Sequence, residues 1–206
     1  MKALPKKLLP LTLFGIAATS LFFVRPVQAY TVTLQQVGSN VVANGSGAID
    51  LTGLSFPIPT PMLAVVNAGD GVIITGPHGS GLVDLYTGFM GPSSFGSGGP
   101  FAPDTGSGDF VGISGGTILT FLLVPQGYMS GAALSDSMTF NNATFASLGV
   151  TPGTYVWTWG TGLANQNFTL QIGSVGVPGV PDGGSTVSLL GFGLVGLAAL
   201  RQKLSC

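Results

Sequence analysis

Apolar and polar positions alternate with a period of two along several short stretches of this chain. Tyr30-Thr31-Val32-Thr33-Leu34 does so cleanly and Gly47-Ala48-Ile49-Asp50-Leu51-Thr52 more weakly, the signature of strands with one buried face. Residues 63–66 and 71–75, joined across Asn67-Ala68-Gly69-Asp70, predict a hairpin, and 117–124 is a continuous apolar run of the kind a buried strand uses. Further strands are predicted over 137–145, 154–159 and 167–172, each bounded by Gly, Pro or Asn. The chain's 34 glycines and 14 prolines punctuate these runs and leave little room for long helices. Strands without intervening helical patterns predict an all-β fold, most economically an antiparallel β-sandwich. No stretch repeats at a fixed period, so solenoids and propellers are unsupported.

The two ends depart from this pattern. Lys2, Lys6 and Lys7 precede an apolar stretch over 8–24, which passes through Arg25 and Pro26 to Val27-Gln28-Ala29. That order predicts a secretory signal peptide over 1–29, with Tyr30 as the first mature residue; an uncleaved membrane anchor is the alternative. Near the other end an apolar run over 185–200, apolar on every side from 189 to 200, is followed by Arg201 and Lys203. A helix of those sixteen residues is about 24 Å long against a hydrocarbon core of about 30 Å. It therefore predicts a short transmembrane helix, weakened by Gly191, Gly193 and Gly196, with the cations of 201–206 retained in the cytoplasm. The predicted organisation is a signal peptide 1–29, a β-sandwich domain 30–173, a stalk 174–184, a membrane segment 185–200 and a basic tail 201–206.

Charge narrows the function. From Tyr30 to Leu200 there is no Lys, Arg or Glu, and all seven anions of the chain are aspartates. A domain without cations cannot neutralise phosphates, so nucleic acid, nucleotides and anionic lipid are poor partners. Neither a P-loop nor a dinucleotide fingerprint is present. The single cysteine, Cys206, lies beyond the basic tail residues, so the exported domain has no disulfide to rely on.

Val180-Pro181-Asp182-Gly183-Gly184, the apolar segment and the Arg201/Lys203 cluster together resemble a PEP-CTERM sorting signal of the VPD type. The chain departs from the commonest form of that signal in having Asp182 where Glu is usual, in Gln202 within the basic cluster, and in its Ser205-Cys206 ending. The resemblance implies a bacterial exported protein that is held in the inner membrane by its tail. An exosortase would then process it, leaving it at the cell surface or outside the cell, in species that make extracellular polysaccharide. Its implied partners are the exosortase and the secretion machinery, with extracellular polysaccharide as a further candidate. The stretches GSGAIDLTGL and TPGTYVWTWG resemble exported PEP-CTERM proteins more loosely and imply no activity.

Within the domain, Asp104-Thr105-Gly106-Ser107 spells the DTGS of aspartic proteases, whose chemistry needs two carboxylates sharing a proton. A second such motif is missing and Pro103 precedes the aspartate, which argues against a paired strand, so a glycine-rich loop is the expected structure. Asp104, Ser107 and Asp109 offer the oxygen donors that calcium takes, and they are the candidate calcium ligands; solvated loop carboxylates explain them equally well. No other cofactor is expected. Tyr155, Trp157 and Trp159 share one strand face by the period-two rule. Buried, they would form core, the usual fate of aromatics; exposed, they would form a candidate carbohydrate face. His78 is the sole histidine and its Gly-Pro-His-Gly setting predicts a turn. The expectation is an exported structural or adhesive protein of the cell surface or matrix and not an enzyme. The alternative is an extracellular carbohydrate-binding module or polysaccharide hydrolase, using Asp84, Asp104 or Asp109 as acid and base.

Overall fold

Fourteen strands and one turn of helix follow one another along the described residues. A computed structural model describes residues 28–115 and 120–173. The predicted signal peptide, apart from Gln28 and Ala29, and the predicted stalk, membrane segment and basic tail lie outside the described residues. The strands are β1 (Tyr30–Val37), β2 (Asn40–Ala48), β3 (Ser55–Leu63), β4 (Val65–Asn67), β5 (Val72–Thr75), β6 (Ser80–Thr87) and β7 (Phe89–Met90). Then come β8 (Pro100–Phe101), β9 (Thr105–Gly108), β10 (Val111–Ser114), β11 (Phe121–Pro125) and β12 (Ala133–Phe140). The helical turn α1 (Phe145–Leu148), β13 (Gly153–Trp159) and β14 (Asn167–Ile172) complete the described chain.

They form two seven-stranded sheets, in the order β7-β13-β14-β1-β2-β12-β9 and β3-β6-β11-β10-β5-β4-β8. We call these sheets A and B. They stack as a β-sandwich, with Tyr30, Val32 and Leu34 of β1 sharing one apolar cluster with Ile73, Ile113 and Leu122 of sheet B. Every one of those six side chains is fully buried. The sequence expectation of a purely antiparallel sandwich needs one correction. β1 runs parallel to β14, with Tyr30 opposite Phe168 and Leu34 opposite Ile172, so sheet A is mixed. The first strand hairpins with β2 through Gly38-Ser39, Gly38 holding a φ of 61° that glycine accepts without strain. Its other edge is then open to whichever strand arrives with the matching apolar alternation, and β14 at the far end of the domain does so.

The outward faces of the two sheets differ. Across sheet A a register row reads Thr154, Gln171, Thr33, Asn44, Ser137, Ser107, one residue from each of six adjacent strands. Across sheet B the corresponding row reads Ile58, Leu85, Leu123, Gly112, Ile74, Val65. Ile74, Val83, Leu85 and Leu123 make a second apolar cluster on this outer side, closed by Met62, Val65, Val72, Phe110 and Phe121. Phe110 can lie on the sheet because Gly81 has no side chain; a Cβ there would sit 2.2 Å from the ring.

Sheet edges are blunted. β3, an edge of sheet B, carries Pro57, Pro59 and Pro61 at alternate positions. Proline has no N–H to give, so these three positions remove donors from an edge strand, where proline is tolerated. A second chain finds few donors on that edge. β7 and β8, at two other edges, are two residues long.

Several predicted boundaries shift. The strand predicted over 47–52 meets β2 only at Gly47 and Ala48: β2 begins seven residues earlier, at Asn40, and 49–52 form a loop. The strand predicted over 137–145 is β12, which begins at Ala133 and stops at Phe140. Asn142 then takes a positive φ of 50°, and Thr144 caps α1 through a reciprocal pair of bonds with Ser147. The DTGS segment, expected as a loop, is the strand β9 paired with β12; Pro103 lies before the strand begins and so does not interrupt the ladder.

Candidate functional site

The aspartates singled out by sequence sit at the two ends of β9. Asp104 donates its backbone N–H to Thr139 O (2.9 Å) and accepts at Oδ2 from the N–H of Asn141 (2.7 Å). Asp109 repeats this at the other end, with its N–H on Ser135 O (3.0 Å) and its Oδ2 accepting from Ser135 N (2.8 Å). Ser107, between them, shares a hydrogen bond with Ser137 Oγ at 3.0 Å. Five residues of extended chain span roughly 16 Å. The two carboxylates are therefore held apart as clasps that fasten β9 to both ends of β12, too far apart to share one cation. Among the described residues no group of three His, Cys, Asp or Glu side chains is placed to hold a metal ion. Asp84, the other carboxylate named for acid–base work, is buried and accepts from Gly127 N at 2.8 Å. His78 is exposed in the bend between β5 and β6.

Tyr155, Trp157 and Trp159 do share one face of β13, and that face is turned to the core. Trp157 is 1% exposed and Trp159 4%. Trp157 packs edge-on against Phe168 at 5.8 Å and Tyr155 against Phe95 at 5.9 Å. Both indole N–H groups are spent on backbone carbonyls, Trp157 on Pro92 O (2.9 Å) and Trp159 on Asp50 O (2.7 Å). The candidate carbohydrate face is thus part of the hydrophobic core, and the outward residues of β13 are Thr154, Val156 and Thr158.

A polar cluster that sequence reasoning missed lies inside the sandwich. Asp136 of β12 points into the core with 6% exposure. Its Oδ2 accepts from the Tyr30 hydroxyl, while Oδ1 is buried without a hydrogen-bond partner. Tyr30 also contacts Thr75 Oγ1 of β5 at 3.3 Å, and Thr75 donates to Val111 O at 2.9 Å. Burial pushes the Asp136 carboxyl up to about 6, partly opposed by its bond from Tyr30. Burial likewise raises Tyr30 well above the ordinary phenol range, and the neighbouring Asp136 charge adds to it. The clue was in the sequence: Leu134, Asp136, Met138 and Phe140 share one parity, so alternation alone places Asp136 among apolar residues.

A second polar network ties the loops at one end. Gln166, 1% exposed, accepts at Oε1 from Thr161 N and Leu163 N and donates from Nε2 to Thr52 O. Asp50 accepts from Thr52 N, Ser130 Oγ and Gln166 Nε2, and the Thr52 bond leads in lowering its carboxyl below the usual range. These bonds fasten the loops that follow β2, β11 and β13, so their role is structural.

Two of the cavities bordered by described residues open to the surface. One, of about 200 Å³, is bordered by Phe89, Gly91, Pro92 and Trp157. The other, of about 440 Å³, is apolar and lies between Pro61, Leu63, Val65, Pro100 and Ala102. Neither contains a carboxylate or the histidine.

The remaining predicted site, Val180 to Gly184 with Arg201 and Lys203, lies outside the described residues. Among the described residues no helix is long and apolar enough to cross a membrane. No curated protein and no solved structure matches the chain. One family does match, over residues 179–204, and it is described as the VPDSG-CTERM motif. Gly183 stands where that description has serine. The chain therefore carries a PEP-CTERM-type exosortase sorting signal at its C-terminus, which implies export, anchoring before processing, and processing by an exosortase.

Proposed function

We propose that this is a structural or adhesive protein of the cell surface or extracellular matrix, delivered there through its C-terminal signal and acting without catalysis. The sorting motif over 179–204 carries the reading, because it addresses the whole chain to the envelope. The way the domain uses its chemistry supports it: the carboxylates of Asp84, Asp104 and Asp109 are committed to backbone amides, as clasps of the fold. The outward face of sheet A, an uncharged field of hydroxyls and amides, also suits a protein whose task is contact.

Fractionation of native cells tests the proposal. The wild-type chain is expected in the envelope or matrix with the mass of a chain lacking its last segment. A variant with Val180, Pro181 and Asp182 replaced by alanine is expected to stay in the inner membrane at full length. Cells lacking the protein should lose cohesion, and the Asp104→Asn/Asp109→Asn double variant should restore it. Loss of a polysaccharide-degrading activity in that folded double variant would sink the non-catalytic reading in favour of a hydrolase.

A further inference from the structure

The buried Asp136 cluster permits an inference about how the two sheets are held together, and it rests on counting protons. Three oxygens form a path across the sandwich: Asp136 Oδ2 on β12, the Tyr30 hydroxyl on β1, and Thr75 Oγ1 on β5. The first two belong to sheet A and the third to sheet B. Thr75 has one proton, and the 2.9 Å bond to Val111 O uses it, because a carbonyl can only accept. Tyr30 also has one proton. If Asp136 is ionised, that proton goes to the carboxylate, and Tyr30 and Thr75 then face each other across 3.3 Å with lone pairs alone. If Asp136 is protonated, it donates to Tyr30, Tyr30 donates to Thr75, and Thr75 donates to Val111 O. Every hydroxyl then both gives and accepts.

We propose that Asp136, Tyr30 and Thr75 form a proton-dependent latch between the two sheets, closed when the Asp136 carboxyl is protonated and open when it is ionised. Burial favours closure, and the hydrogen bonds that Tyr30, Thr75 and the Gly45 backbone can offer the carboxylate oppose it. Among the groups facing Asp136, the titratable ones are Tyr30 from β1 and Asp109 from the connection between β9 and β10, and neither supplies a positive charge. β2 presents Gly45, whose missing side chain makes the room; a Cβ there would lie 2.1 Å from the Tyr30 hydroxyl and 2.4 Å from Asp136 Oδ1. The sequence offers no Lys or Arg between Tyr30 and Leu200 to pair with the carboxylate. An ionised Asp136 would keep Oδ1 buried and unpaired, which is costly for a charged oxygen.

The sign of the pH effect follows. Between the ordinary carboxyl value of 3.8 and the raised one of about 6 the folded chain holds a proton that the unfolded chain has released, so stability falls as pH rises through this window. Going from pH 7.5 to 4.5, the folding equilibrium constant should rise roughly twenty-five-fold from this group.

Thermal and urea unfolding of the full chain at pH 7.5, 6, 5 and 4.5, with the carboxyl resonance of Asp136 followed by carbon NMR, tests the latch. Expected are a carboxyl midpoint near 6 and stability increasing toward pH 4.5. Asp136→Asn, whose amide donates to Tyr30 as the acid does, should be nearly flat over the same range. Thr75→Val, which removes the far end of the path, should lower the midpoint and shrink the acid gain together. A midpoint near 4, or stability that is flat or falling toward pH 4.5 in the wild-type chain, would overturn the proposal without reference to any variant. A midpoint unchanged or raised in Thr75→Val would also overturn it, since burial alone would then explain the titration.

Discussion

The outward faces of sheets A and B are built on the same geometry and carry opposite chemistry. Across six strands of sheet A the row runs Thr154, Gln171, Thr33, Asn44, Ser137, Ser107; across six strands of sheet B it runs Ile58, Leu85, Leu123, Gly112, Ile74, Val65. Sheet A keeps its apolar residues on the side that meets the other sheet, so its face is wet and its strands alternate. Sheet B is apolar on both sides, with Ile73 in the main core and its neighbour Ile74 in the outer cluster, each fully buried. Neither outward row contains a charged residue. Most sheet faces that meet water use charges to discourage contact with other sheets. Here that task falls to the edges, where the prolines of β3 and the two-residue lengths of β7 and β8 deny a partner a ladder.

The contrast can be broken most forcefully by placing a charge in each row. Leu123→Asp puts an unpaired carboxylate in the outer cluster of sheet B and should cost about 3–5 kcal/mol or prevent folding. Thr33→Asp in the matching row of sheet A should cost no more than about 0.5 kcal/mol, its side chain being only partly covered. Urea midpoints of the two variants measure the difference directly, and equal midpoints would show that both outer faces are equally wet. Next in size is Gly81→Ala. The added Cβ collides with the Phe110 ring and should push it off the sheet, at about 1–3 kcal/mol. The accompanying readout is a rise in the binding of a hydrophobic dye to the opened cluster. Asp109→Asn should weaken the clasp between β9 and β12 by about 0.5–1.5 kcal/mol, with faster amide exchange confined to that edge of sheet A. Smallest of all, Thr33→Lys should leave stability within about 0.5 kcal/mol of the parent. It creates the one tryptic site between Tyr30 and Leu200, so resistance of the folded variant to trypsin reports how firmly β1 is held between β2 and β14.

The same contrast explains which parts of the fold were legible. β1, β13 and β14 alternate because one side of sheet A is solvated, and their positions could be read from period two. The hairpin of β4 and β5 was marked by its Asn-Ala-Gly-Asp turn. β3, β6 and β10 went unread. In β3 the prolines concealed an edge strand, and in β6 and β10 small and apolar residues on both faces removed the alternation. Among the site candidates, Asp104 and Asp109 could be picked out as oxygen donors flanking one short segment, but their work as backbone clasps depends on β12, more than twenty residues on in sequence. The aromatic strip of β13 was legible as a strip, while its direction depended on which sheet covered it.

By itself the sequence determined the all-β composition, the destination written in residues 179–204, and the absence of any cation from the middle of the chain. These are local or additive properties, set by short motifs, periodicity and counting. Only the tertiary structure decided that β1 lies parallel to β14, that Trp157 and Trp159 face inward, and that Asp136 meets Tyr30 from 106 residues away and thereby Thr75 of the opposite sheet. Each of these depends on which strands become neighbours, and strand pairing is settled by competition among all the apolar faces for burial, information that no single stretch of chain contains.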